Sequence, residues 1–486
     1  MNKVCFWIVL LLLARVGVAQ SYSPEVEKKI KEVETHLGTG IQITGHPWYT
    51  LQERMAYYHV HGVSIAVVHN HRIEWARGYG WADTAEKRPV TVHTLFQAAS
   101  ISKSLNAVGL LRLTQEKKID LYADINTYLR SWKFPYDSLS HGKTISVANL
   151  LSHTGGLTVH GFPGYERGVA IPTVVQVLDG APPANTKAVR SMYAPGIKSE
   201  YSGGGTTISQ LIVMDVTQEP YDRWMADHVL RPMGMTESFY TQPAPADKAG
   251  VLATAYHEDG SAVPGKYHIY PEEAPAGLWT NPTDLCSYII ETQLSYAGRS
   301  AKVLDQSFTR LRLTPYVDST AALGVFISKA GDVRYFQHGG ANEGFRSQYY
   351  GSEDGGEGVV VMVNSDNGAV MSEIIAGVAT VYGWTGFYHP VVKTIYPMKP
   401  EQLAAYEGRY RYRGDRPLEL QVVAKGDHLV VTALWEKHDD DFYPESETSW
   451  FRMNGNFVIQ MEKGADGKVK TISGGGKDFF DRVGEK

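Results

Sequence analysis

The chain has 486 residues, 43% of them apolar, and a formal net charge of −5 at neutral pH. That length and apolar content predict ordinary globular cores, in two domains rather than one. Mild acidity argues against nucleic acid as a partner, and two cysteines exclude a disulfide-stapled scaffold.

The opening MNKVCFWIVLLLLARVGVAQ has a basic start, an apolar stretch from about Val4 to Ala14, and small residues at Gly17 and Ala19. This is the pattern of a signal peptide over residues 1–19, cut after Ala19, and the apolar run is short for a bilayer span. The expectation is an exported chain, periplasmic or secreted, with no stable membrane span after cleavage. Cys286 is then its single cysteine, so stability must come from the core. GVSIAVVHNHRIEWARGYGWAD (62–83) predicts a hairpin turning near Asn70. His59, His61, His69 and His71 alternate along it without the carboxylate or cysteine spacing of a metal site, so no metal is expected.

Residues 98–108, AASISKSLNAV, predict an amphipathic helix with Ser100 and Lys103 one turn apart on one face. A cation in the first turn is mildly disfavoured by the helix dipole. Two readings stand. Ser100 caps the helix while Lys103 reaches solvent, or Lys103 loses proton affinity and serves as base to a nucleophilic Ser100. Ser140–His141–Gly142–Lys143 repeats the spacing in a polar stretch where no chemistry is read.

TISVANLLSHTGGL (144–157) predicts a helix closed by Gly155–Gly156, a structural element. In PGIKSEYSGGG, Tyr201 precedes three glycines, which let backbone approach a ligand. A phenol beside a lysine can pass a proton to a leaving group; the alternative is one ordinary buried tyrosine among 29. Helical patterns fill about 100–310. Strands return at LGVFISKAGDVRYFQHGG and EGVVVMVNSDN, and a helix follows near 370–382. Strands at both ends with helices between predict one sheet assembled from the two ends of the domain. In YFQHGGANEGF, Gly339 and Gly340 leave the strand edge bare after His338. A substrate carbonyl could there reach a backbone N–H and, with the N–H of Ser100, a two-donor oxyanion hole. A tight turn with a surface histidine is the other reading.

Three prolines in YHPVVKTIYPMKPEQLAAY mark a seam, predicting a linker over 388–400 between domains at 20–387 and 401–486. Beyond it, ELQVVAKGDHLVVTALWE and NFVIQMEKGADGKVKTI alternate like paired strands around glycine turns. Leu429, Val431, Trp435, Phe451 and Phe457 alternate as barrel or sandwich positions do. His438–Asp439–Asp440–Asp441 reads as a solvated loop rather than a calcium site. H-E-x-x-H, P-loop and G-x-S-x-G motifs do not occur, which argues against zincins, P-loop NTPases and α/β-hydrolases.

Taken in order, Ser-x-x-Lys at Ser100–Lys103, LLSHTGGL, PGIKSEYSG, RPMGM and HGG-x3-GF resemble the serine β-lactamase and penicillin-binding-protein superfamily. The resemblance is closer to its branch of class C-like esterases and D-amino-acid peptidases, from about Gly62 to Gly383. The segment after the seam is similar to the lipocalin-like barrel appended to some members. The implied fold is α+β, an antiparallel sheet flanked by helices with an inserted helical region, plus a small all-β barrel. The resemblance implies Ser100 as nucleophile, Lys103 as its base and Tyr201 as the second-motif tyrosine. It places His338 where the third-motif lysine stands, with Gly339, Gly340 and Ala341 at the substrate carbonyl and Ala341 giving the second oxyanion N–H.

Two departures narrow the substrate. Gly203 stands where the family's second motif usually ends in asparagine, removing one hydrogen bond to a substrate amide. Gly339 stands where a hydroxyl usually accompanies the third-motif cation, the pair that grips the carboxylate in lactam-binding relatives. The pattern therefore suits an ester, a D-amino-acid amide or another small acyl donor better than a β-lactam. The expected function is an exported serine hydrolase that passes an acyl group to water or an alcohol without a cofactor. A true β-lactamase or D,D-peptidase, and a non-catalytic ligand-binding or sensing relative, are the alternatives.

Overall fold

The computed structural model describes residues 21–38, 40–436, 438–453 and 457–484, so the expected signal segment lies outside the described residues. Among the described residues, no helix is long and apolar enough to cross a membrane.

Seven strands form the central sheet in the order Arg88–Pro89, Arg72–Asp83, Gly62–His69, Gly358–Val363, Phe345–Ser352, Val333–Asn342, Phe326–Ala330. Neighbouring strands are antiparallel. The two ends of the domain meet where Val63 lies opposite Val363. Gly358–Val363 is an unbroken apolar run because both of its faces are covered. Val359, Val361 and Val363 pack against Ile30 and Val33 of the Pro24–Thr35 helix and Ile374 and Val378 of the Ala369–Val381 helix. Val360 and Met362 face the helical region, with Leu105, Leu285 and Ile289. The hairpin turns at Asn70 and His71, both with left-handed φ, where the sequence predicts it.

Three expectations need correction. The helix carrying Lys103 runs Ser102–Gln115 and buries every residue from Ser102 to Leu111, so it is a core helix rather than an amphipathic one. The predicted 144–157 helix is only Val147–Leu151, started by a capping box between Ser146 and Asn149 and stopped where His153 takes a positive φ of 59°. The run at 438–441 is no loop. It enters the strand His438–Pro444, because each acid finds a cross-strand partner: Thr432 for Asp439, Arg452 for Asp440 and His428 for Asp441.

The C-terminal domain is a closed eight-stranded antiparallel barrel, sealed by pairing of Gly408–Tyr412 with Asp478–Arg482. Leu403, Tyr406, Leu429 and Trp450 belong to its core. The barrel also keeps a cavity of about 420 Å³, lined in part by Trp435 and Phe457, which are 42% and 40% exposed. Phe451 lies outside the barrel, packed with Ile41, Ile43 and Tyr443. The seam holds a strand, Val391–Lys393, paired in parallel with Ile41–Ile43.

Candidate active site

Ser100 sits in a single 3-10 turn, Ala99–Ile101, at the head of the Ser102–Gln115 helix. Ala99 is forced to a φ of +50°, a left-handed conformation that costs an alanine of order 1 kcal/mol. Hydrogen bonds hold that turn. Ser102 Oγ donates to Ala99 O at 2.5 Å and accepts from Leu278 N at 3.0 Å, while Ser347 Oγ donates to Ala98 O at 2.9 Å. The turn directs Ser100 toward Lys103, whose Nζ lies 3.0 Å from Ser100 Oγ and 2.7 Å from Pro275 O. Ser100 therefore does not cap the helix, and Lys103, 4% exposed, does not reach solvent. Burial pushes the Lys103 amine down to about 7.

The other serines are committed elsewhere. Ser104 Oγ shares a hydrogen bond with Tyr349 OH at 2.9 Å, and Ser140 Oγ one with Ser191 Oγ at 2.9 Å, while Lys143 is exposed. Only the first Ser-x-x-Lys copy brings its two side chains together.

Tyr201 joins this pair. Its ring centroid lies 4.8 Å from Lys103 Nζ, and Ser100 is near enough to the phenol to act on its ionisation. Burial raises the phenol, with the Ser100 contact opposing, so Tyr201 stays protonated. Ser202 Oγ caps the following helix, Gly203–Thr217, by accepting from Gly205 N at 2.9 Å, which fixes the backbone on which Tyr201 rides.

His338 is 3% exposed, not a surface residue. Burial first, then the nearby Lys103 charge, pushes it down to about 3, so it is neutral. Its Nδ1 lies 2.6 Å from Gly339 O, and a carbonyl can only accept, so Nδ1 carries the proton. Nε2 is then a buried acceptor with no partner among the described residues. Beyond Gln337, where pairing to Phe326–Ala330 ends, His338 to Asn342 pair only with Tyr349 to Phe345. That leaves one edge of Gly339, Gly340 and Ala341 without a strand partner. A Cβ at Gly340 would lie 2.1 Å from Ala98 O, so glycine is what lets this strand approach the nucleophile turn.

One neighbour is missing from the sequence reading. His153, from the LLSHTGG stretch assigned a purely structural role, packs its ring against Tyr201, with centroids 4.4 Å apart and the planes tilted by 38°. It accepts from Ser202 N at Nδ1 (3.2 Å) and stays neutral, lowered by burial and then by Lys103. The one available signal was a histidine in an otherwise apolar, glycine-closed segment. Elsewhere, His257, Glu343 and Asp366 bring potential metal-ligand atoms within 4.8 Å, but Asp366 is already paired with Arg346 at 2.9 Å.

A family model described as Beta-lactamase matches residues 50–380. Protein flp of Staphylococcus aureus (strain N315) is 25% identical over 319 residues, 63% of this chain and 60% of its own length. The chain thus matches less than two thirds of that curated relative. Among solved structures, an octameric penicillin-binding protein homologue from Pyrococcus abyssi aligns over 89% of this chain and 98% of its own, with a TM-score of 0.62 at 20% identity. A D-amino acid amidase from Ochrobactrum anthropi SV3 covers 74% of this chain and 98% of its own, with a TM-score of 0.57 at 19% identity. At those identities the likeness is one of fold.

Proposed function

The chain belongs to the Beta-lactamase family, and from that premise we propose that it is a serine hydrolase whose acyl-enzyme forms on Ser100. The observation that carries this reading is the buried Lys103 amine 3.0 Å from Ser100 Oγ, with both of its partners neutral. Two ionisable groups neighbour Ser100, and burial decides which is the base. Tyr201 is held protonated, whereas Lys103, pushed down to about 7, is largely a free amine slightly above neutral pH.

Ser100 Oγ attacks the acyl carbon, and its proton passes to Lys103 Nζ as the new C–O bond forms. The oxyanion faces the N–H groups of Ser100 and Ala341 on the unpaired strand edge. When the tetrahedral adduct collapses, the bond to the leaving alcohol or amine breaks. Lys103 returns the proton to the departing atom through the Tyr201 hydroxyl. Water or a second alcohol then attacks, giving its proton to the same pair, and Ser100 is released. His338 contributes an acceptor at Nε2, suited to an N–H or O–H of the bound molecule.

The donor is an ester, a D-amino-acid amide or another small acyl compound; the fold shared with a D-amino acid amidase supports keeping amides among the donors. Export to the periplasm or medium remains part of the proposal, from the opening segment, and no cofactor enters the scheme. The test is a fluorophosphonate adduct mapped by peptide mass, together with turnover of p-nitrophenyl esters. The adduct is expected on Ser100, and Ser100→Ala is expected to lower turnover by about 10³-fold or more. An adduct on any other serine would refute the assignment.

A further inference from the structure

Gly203 opens the helix that follows Tyr201, and what surrounds its missing side chain bears on specificity. A Cβ built there would lie 2.7 Å from Phe162 Cε2, 3.3 Å from Phe162 Cδ2 and 3.4 Å from His160 O. The space a second-motif side chain would enter is therefore occupied by an aromatic ring. That ring is held by the same backbone that holds Tyr201. Ser202 Oγ donates to Thr158 O at 3.1 Å, Gly204 N donates to Val159 O at 2.9 Å, and His160 Nδ1 lies 2.5 Å from Tyr201 O. Gly203 lies two positions after Tyr201, a span of at most about 7 Å. Phe162 is half-buried and so keeps part of its ring accessible.

We infer that Phe162 is a specificity-determining residue, selecting acyl groups with an alkyl or aryl substituent over those bearing an acylamino group. The inference rests on the acyl-enzyme reading at Ser100. An amide held against a phenyl ring loses hydrogen bonds to water to a face that offers its carbonyl no donor, a cost of about 1–3 kcal/mol. A hydrocarbon of the same shape gains by burial instead. Neither Phe162 nor Gly203 has a polar side-chain atom to compensate the amide.

The test compares two p-nitrophenyl esters of matched shape, the 4-methylpentanoate and the N-acetylglycinate, whose acyl groups differ by replacing CH₂ and CH(CH₃)₂ with NH and C(O)CH₃. The full chain is expected to favour the 4-methylpentanoate in kcat/KM by about tenfold or more. Phe162→Ala is expected to lower that ratio at least fivefold while Ser100 still takes a fluorophosphonate. If Phe162→Ala fails to fold by circular dichroism, Phe162→Gln keeps the bulk, supplies an amide, and is expected to shift the ratio in the same direction. A purely packing role would lower thermal stability and leave the ratio unmoved, which overturns the inference. So would a wild-type preference for the N-acetylglycinate. An unlabelled Ser100 with neither ester turned over is a different failure, in which the acyl-enzyme reading itself falls and this inference with it.

Discussion

Lys103 is costly to bury, and the cost has a pH signature. Its folded value of about 7 lies well below the roughly 10.4 of a lysine in an unfolded chain. Between those values the unfolded chain holds a proton that the native protein lacks, so this group makes stability rise with pH across that window. Below about 7 both states are protonated and the full penalty stands. Lys103→Met should therefore melt higher than the wild type at pH 6, by a margin that shrinks toward pH 10. The same variant should lose about 10³-fold or more in ester turnover. Wild-type kcat/KM should climb through an apparent pKa of about 7 and then stay level; a profile flat from pH 5 to 9 would remove Lys103 as the base. At His338 the single N–H is spent on Gly339 O, leaving an acceptor where a substrate carboxylate would need a donor. Nitrocefin turnover should consequently fall well below about 10⁴ M⁻¹s⁻¹, the lower end of ordinary enzyme efficiency.

The nucleophile turn and the half-paired strand act as one device, because Ser347 of the second strand ties Ala98 while Gly340 of the first passes against it. A methyl at position 340 would meet backbone oxygen, which cannot swing away as a flexible side chain could. Gly340→Ala should thus push the strand off the turn and cost about 10² in kcat/KM. Ser347→Ala, which leaves Ala98 O with the Ile101 N–H at 3.1 Å as its remaining donor, should cost about 0.5–1.5 kcal/mol of stability. If Gly340→Ala kept wild-type turnover and labelling, the close approach would have no catalytic meaning. Much of this was legible in sequence. Ser100, Lys103, Tyr201 and His338 each carry a local motif, and the hairpin and central strands follow from their apolar patterns. What was hidden depends on contacts between distant segments. Phe162 fills Gly203's space from 41 positions away, and His153 looks structural until Tyr201 is packed against its ring. Trp435 and Phe457 keep the alternation of interior residues and line a cavity, since alternation does not tell how far a barrel interior is filled.

The barrel is attached at a place that separates it from the chemistry. Phe451 and Tyr443 pack on Ile41 and Ile43, and Lys393 lies 4.6 Å above the Phe451 ring while pairing with Glu445 at 2.9 Å. The parallel pairing of Ile41–Ile43 with Val391–Lys393 stitches the segment before the barrel to the N-terminal part of the catalytic domain. From there the chain runs through Tyr49, Leu51 and Met55 into the core on the Val63 and Val361 face of the sheet. The helix bearing Lys103 packs with the opposite face. Undocking the barrel should then leave Ser100 reactive. Phe451→Asp in the full chain places a charge in that apolar contact, where it has no room to hydrate, and should loosen the barrel rather than the catalytic core. Limited proteolysis within 388–400 should accelerate several-fold, while fluorophosphonate labelling of Ser100 stays within about threefold of wild type. Faster cleavage with labelling abolished, in a catalytic domain still folded by circular dichroism, would mean that the docked barrel shapes the site across the sheet.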